Sequence, residues 1–168
     1  MKGTVTLENG QVIEIEINEE QLKQMQVKPI KTGYERVGVN EEYYVVKTDN
    51  SIKVSGEDRY FADDKLYENA NYYNDMIVAE NNARADKLFR QLRRFVVENR
   101  RKELSWGSCD FKYIICYKAD FNEVSYYMQD AYKIFGTIYF DAEETVKLAI
   151  ETFNDELTWY FTEYKDSL

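Results

Sequence analysis

The chain has 168 residues, 44% of them apolar and 15% aromatic, which is enough to bury a core and excludes general disorder. Its formal charge of −9 makes it, on average, a surface that phosphates repel. Histidine is absent, which removes the commonest general base, the Ser–His and Cys–His nucleophile pairs and most zinc sites.

The start, Met1-Lys2-Gly3-Thr4, lacks the apolar run of a signal peptide, and no stretch approaches the length of a membrane span. A soluble cytoplasmic protein with no membrane partner is expected. Cys109 and Cys116 match neither redox nor zinc-ribbon spacing and read as two reduced thiols. Thr4–Leu7 and Val12–Ile17 alternate apolar and polar residues around Asn9-Gly10, predicting a hairpin with a type I′ turn. A short helix is expected after Asn18, with Gln21 at the capping-box position and Pro29 ending it.

Beyond residue 30 one plan is used twice. Tyr43–Thr48 and Ile52–Ser55 predict a hairpin turning at Asp49-Asn50, followed by an acidic loop, the run Tyr72-Tyr73-Asn74 and a helix over 75–102. Phe111–Tyr117 and Glu123–Met128 predict a second hairpin turning at 120–122. A third strand is expected at Lys133–Phe140, and a helix over 141–165 follows, with Asp141 as its cap and Glu144 three residues on. Tyr72-Tyr73-Asn74 overlays Tyr139-Phe140-Asp141 at an offset of 67 residues. A duplication and two independent hairpin–helix units both fit. In the first helix Val78, Ala85, Leu88, Phe89, Leu92, Phe95, Val96 and Asn99 fall on one face at about 100° per residue. In the second, Val146, Ile150, Phe153, Leu157, Tyr160, Phe161 and Tyr164 do the same. The expected architecture is α+β: a hairpin and short helix over 1–30, a hairpin–helix unit over 31–102, and a three-strand–helix unit over 103–168, packed together.

Charge is segregated along this plan. Residues 1–83 carry a net −7, residues 84–102 a net +6, residues 103–140 a net −2 and residues 141–168 a net −6. In the basic segment Lys87, Arg90, Arg94 and Arg101 lie within about 60° on a helical wheel, flanked by Arg84, Arg93 and Arg100. Arginine forks suit bidentate contact with phosphate or carboxylate, so these seven are the candidate nucleic-acid or partner-binding residues. Two readings stand: an external anionic partner, or a face that is only solvated or covered by the chain's own acidic segments.

Acidic residues crowd three places: Glu14, Glu16, Glu19 and Glu20; then Glu57, Asp58, Asp63 and Asp64; then Glu143, Glu144, Asp155, Glu156, Glu163 and Asp166. They can imitate spaced phosphates or simply confer solubility. The second group lacks the glycine and terminal glutamate of a calcium loop, and no lysine pattern supports phosphodiester cleavage. The seven glycines are scattered, and no serine or cysteine has a partner base. No enzyme activity, metal or cofactor is expected. The pairs Tyr43-Tyr44, Tyr72-Tyr73 and Tyr126-Tyr127 should each place one ring on either side of a strand, the outer one available to a base, a partner or a second copy in a homodimer. Trp106 and Trp159 read as packing residues.

Several stretches carry a resemblance together. They are Lys31-Thr32-Gly33-Tyr34-Glu35-Arg36-Val37, Ala70-Asn71-Tyr72-Tyr73-Asn74-Asp75, the run from Val78 through Phe95, and Tyr139-Phe140-Asp141 with Glu156 through Lys165. Over residues 31–168 the chain resembles small accessory proteins of phages and prophages of Gram-positive bacteria. Proteins of that type include anti-CRISPR inhibitors of the type II RNA-guided DNA nuclease. The resemblance implies a non-enzymatic, phage-encoded inhibitor of a host defence nuclease, acting in the host cytoplasm on the nuclease or its guide-RNA complex. The alternative is a phage nucleic-acid-binding or regulatory protein that holds DNA or RNA with the arginine row.

Overall fold

The computed structural model describes residues 2–6, 10–16, 18, 31–104, 106, 111–130 and 132–164. Among the described residues are three two-stranded antiparallel hairpins and four α-helices, an α+β protein as the residue pattern predicted. Two compact units divide the chain, residues 1–31 and 32–168. Among the described residues no helix is long and apolar enough to cross a membrane.

In the first unit β1 (Lys2–Thr6) and β2 (Val12–Glu16) pair from Lys2↔Glu16 to Thr6↔Val12. Gly10, at φ 80°, provides the left-handed backbone expected of the Asn-Gly turn. The rest of that turn, and the short helix expected after Asn18, lie outside the described residues.

The second unit begins with a loop fixed by Glu35. Its carboxylate accepts bonds from Thr32 N (2.6 Å), Thr32 Oγ1 (2.8 Å), Gly33 N (3.1 Å) and Asn74 Nδ2 (3.0 Å). Strands β3 (Glu42–Val46) and β4 (Ile52–Gly56) follow, closed by a turn in which Asp49 Oδ1 accepts from Ser51 N and Asn50 adopts φ 69°. The acidic stretch expected as a loop contains helix α1 (Phe61–Glu68). Asp63 accepts from Tyr60 N at 3.0 Å and so covers one of the open amides at the start of that helix. Next come α2 (Met76–Asn99), β5 (Lys112–Lys118), a 3₁₀ turn at Ala119–Phe121, and β6 (Glu123–Gln129).

No third strand forms at 133–140. Only Phe140 pairs, with Tyr113, because Gly136 turns the chain at φ 75° and the Tyr139 hydroxyl takes over the bond from Ile134 N. The single helix expected over 141–165 is two, α3 (Glu143–Thr152) and α4 (Asn154–Thr162). They break at Phe153, where Thr152 Oγ1 bonds back to Leu148 O at 2.6 Å, a contact that bends helices. The ring of Phe153 then meets Phe95 edge-on at 5.6 Å.

The two halves share a device. Tyr44 and Tyr73 exchange both backbone bonds (2.7 and 3.0 Å), and Tyr113 and Phe140 do the same (2.9 and 2.9 Å), so each hairpin is bridged by the aromatic pair that precedes a helix. The next residue reaches back to the loop before its own hairpin. Asn74 N donates to Gly33 O, and Asp141 Oδ2 accepts from Arg101 N (2.6 Å) and Lys102 N (2.9 Å). Asp141 is therefore a latch, and Ala142 rather than Asp141 is the N-cap of α3. Asp75 does cap α2, accepting from Ile77 N and Val78 N.

Leu88, Leu92, Val124, Phe140, Val146, Ala149 and Leu157 form the main core, where β5–β6 meets α2, α3 and α4. A smaller cluster of Tyr43, Val45 and Tyr72 lies at the β3–β4 hairpin. The tyrosine pairs alternate as expected at 43–44 and 126–127, but Tyr72 and Tyr73 are both buried, because that segment runs between a hairpin and a helix and is covered on both sides. Replacing the fully buried Phe140 by alanine should cost about 3–5 kcal/mol in a urea titration. The same change at the exposed Phe135 should stay within about 0.5 kcal/mol.

Candidate functional site: a basic strip on the long helix

Helix α2 carries three alanines and four arginines, good helix formers, and its 24 residues span about 36 Å. It uses two faces. Leu88, Leu92 and Phe95 face the main core as predicted, while Ala79 and Ala83, which the sequence pattern left off the apolar face, are also buried. Small side chains there admit the β3–β4 hairpin closely: Asn50, in its turn, donates to Ala83 O. The same Asn50 accepts from Arg90 through Oδ1.

The structure sorts the seven predicted cations. Arg84 is drawn to α4, where Nε meets Glu156 Oε2 at 2.7 Å and the guanidinium stacks 4.0 Å from the Trp159 ring centre. Arg101 leaves the row, since α2 ends at Asn99 and Arg100 is extended (φ −63°, ψ 139°). The Arg101 side chain instead pairs with Glu144 at 3.3 Å. Arg94 contacts Glu98 at 3.6 Å, one turn on, in full solvent. Among the described residues Lys87, Arg93 and Arg100 are exposed and have no ion pair. Lys87, Arg90, Arg93, Arg94 and Arg100 thus remain as a solvent-facing strip about 20 Å long, with Val97, 63% exposed, among them. The chain's own carboxylates engage the two flanking arginines, and the middle of the row stays exposed.

The acidic clusters are largely spent on the fold. Glu57 is fully buried and accepts from Arg36 Nε (2.9 Å) and Nη2 (3.0 Å), Tyr72 Oη (2.8 Å) and Arg59 N (2.8 Å). Arg36 beside it holds the carboxyl down at about 2, against the usual 4.5. Asp63 accepts from Tyr43 Oη at 2.6 Å, which together with its backbone donors also keeps its carboxyl low. Asp64 pairs with Arg36 at 2.7 Å. The Tyr43 and Tyr72 rings that carry these hydroxyls stack at 4.0 Å. On α3, Glu143 accepts from Tyr126 Oη (2.7 Å) and Lys147 Nζ (2.6 Å). Among the described residues no group of three or more His, Cys, Asp or Glu side chains is arranged to hold a metal. Arg36, the partner that decides the fate of Glu57, was not singled out by the sequence pattern; its mate lies 21 residues away, beyond the reach of any local periodicity. Lys112, fully buried with Nζ 4.6 Å from the Trp106 ring centre, was missed for the same reason.

Comparison with protein-family models, curated proteins and solved structures finds no match to this chain.

Glu35 is likewise held at about 2, chiefly by the Thr32 backbone N–H and hydroxyl. Both carboxyls titrate lower in the folded chain than in the unfolded one. Their stabilisation is therefore complete above about pH 4.5 and is lost as pH falls toward 2. Urea midpoints should fall across that window. Glu57→Gln should lower the midpoint at neutral pH and flatten the decline below 4.5.

Proposed function

We propose that the protein is a non-enzymatic inhibitor of a host defence nuclease, with the type II RNA-guided DNA nuclease as its target, and that it acts by occupying the nuclease through the α2 strip. The single observation that carries this reading is that Lys87, Arg90, Arg93, Arg94 and Arg100 stay exposed along one helix and its end in a chain whose net charge is −9. A 20 Å row of one ammonium and four guanidinium groups matches a nucleic-acid backbone, whether guide RNA or target DNA, with Val97 available to a sugar face. The class of target follows from the resemblance of residues 31–168 to phage accessory proteins. Masking of a groove by carboxylates is the weaker mechanism, because Glu57, Asp63, Glu143, Glu144 and Glu156 are engaged within the chain.

The same strip favours a second reading, direct binding of free DNA or RNA. The two separate in a pair of measurements. The inhibitor should co-elute with the guide-loaded nuclease and stop target cleavage, and Arg93→Glu with Arg94→Glu should weaken inhibition by at least about tenfold without unfolding the chain, since neither side chain is buried. Failure to co-elute and to inhibit removes the first reading. Affinity for free nucleic acid whose logarithm falls with log salt at a slope of about −3 to −4, as four phosphate contacts require, establishes the second.

A further inference from the structure

The main core holds a partly open cavity of about 160 Å³. Leu88 and Leu92 of α2, Ile115 of β5, and Leu157 and Phe161 of α4 line it. Gly136, Thr137 and Ile138, from the segment expected as a strand, line it as well. Folded interiors hold few voids larger than a water molecule. An apolar void of about 150 Å³ stays dry, yet takes up a benzene ring. The space is therefore a hole of phenyl size and phenyl chemistry.

The same segment supplies an unburied phenyl ring. Phe135 directly precedes the lining residue Gly136 and is fully exposed, and its neighbours Ile134 and Tyr132 are exposed too. Gly136 turns the chain at φ 75°, and a Cβ placed on it would meet no atom within 4 Å, so the space beside it is open. Consecutive Cα atoms lie about 3.8 Å apart, which makes the exposed ring a neighbour of the hole. A surface that carries a knob next to its own hole is self-complementary, since a two-fold axis between them lets each copy fill the other. We propose that the Phe135 ring of a second copy enters this cavity, and that the exchange is reciprocal, in a two-fold homodimer. Phe135, Ile134 and Tyr132 of both copies take on the order of 800 Å² out of water. That is less than the roughly 1,200 Å² at which stable interfaces begin, so the pair is weak, with a dissociation constant of about 0.1 mM. At the far lower concentration of a urea titration the chain is single, and Phe135→Ala is near neutral there. The inference does not rest on the cations of α2 or on the nuclease, so its failure leaves that reading standing.

Sedimentation equilibrium of the whole chain from about 10 µM to about 1 mM should show monomer at the low end and dimer at the high end. Phe135→Ala should raise the dissociation constant at least about tenfold. Saturating benzene should do the same to the parent chain, because it occupies the hole, and should add nothing to the variant. Thr137→Phe offers the hole a ring of its own chain and should be monomeric by itself. Mixed with Phe135→Ala it should associate, one chain giving the knob and the other the hole. A parent chain that stays monomeric at the highest concentration overturns the proposal, as does a dimer indifferent to Phe135→Ala and to benzene. So do nuclear Overhauser contacts between Phe135 and Leu92 in the monomer, for the ring would then fill its own cavity. The benzene measurement needs no variant, so it decides the matter even where Thr137→Phe does not fold.

Discussion

One helix has to close two hairpins at once, and the rest of the second unit follows from how α2 does it. Its first turns bury Ala79 and Ala83 toward β3–β4, and its later turns bury Leu88 and Leu92 toward the main core. On a wheel Ala83 and Leu88 are about 140° apart, so these are two faces and not one broad stripe. Small residues are required where a hairpin turn approaches the backbone, and large ones where a core is filled. The first hairpin ends at Asn50, which spans from Ala83 to Arg90. Beyond that point the sector it covered is exposed among the described residues, and Lys87, Arg90 and Arg94 occupy it. The basic strip is the continuation of an interface whose partner strand has ended.

Each half of the unit is then locked by a polar residue directly after its bridging aromatic. In the first half Asn74 joins Glu35, and every oxygen of that carboxylate meets donors. In the second half the equivalent position is Asp141, which has to serve two amides with a charged group where an amide sufficed before. The second latch therefore carries an excess acceptor that the first does not. Shared backbone pairing at Tyr44–Tyr73 and Tyr113–Phe140 makes this difference in side-chain chemistry stand out against a common frame.

The residue pattern made the hairpins and long helices legible, because period-2 and period-3.6 repeats are local properties. It failed where a distant partner decides. The stretch 57–70 reads as solvated carboxylates until Arg36 and the hydroxyls of Tyr43 and Tyr72 are placed against it, and α1 forms on that anchored base. The run 133–140 is rich in strand formers, yet Gly136 at positive φ and the Tyr139 hydroxyl give it another shape. The break at Phe153 hides inside a continuous apolar period, since the kink keeps Phe153 and Leu157 on the core side. Of the seven cations proposed for the site, the wheel placed Lys87, Arg90, Arg93 and Arg94 correctly relative to the apolar face. It misplaced Arg101 because a wheel assumes that the helix continues, and α2 stops two residues earlier.

Net charge is then the wrong variable for judging partners. Charges act over roughly one Debye length, about 8 Å in physiological salt, so what a ligand meets is set by local pairing and not by the total of −9. The acidic helices α3 and α4 do not cancel the basic segment as a whole. Glu144 and Glu156 neutralise it at Arg101 and Arg84 and leave the span between them uncovered. An arrangement meant only for solubility would spread opposite charges along the helix at i and i+4, as Arg94 and Glu98 do once. Here Glu98 alone interleaves with the strip as an ion pair, while Glu156 and Glu144 hold the cations that flank it. What the fold leaves open is therefore a short run of cations whose internal contacts are one exposed carboxylate, at Arg94, and one amide oxygen, at Arg90.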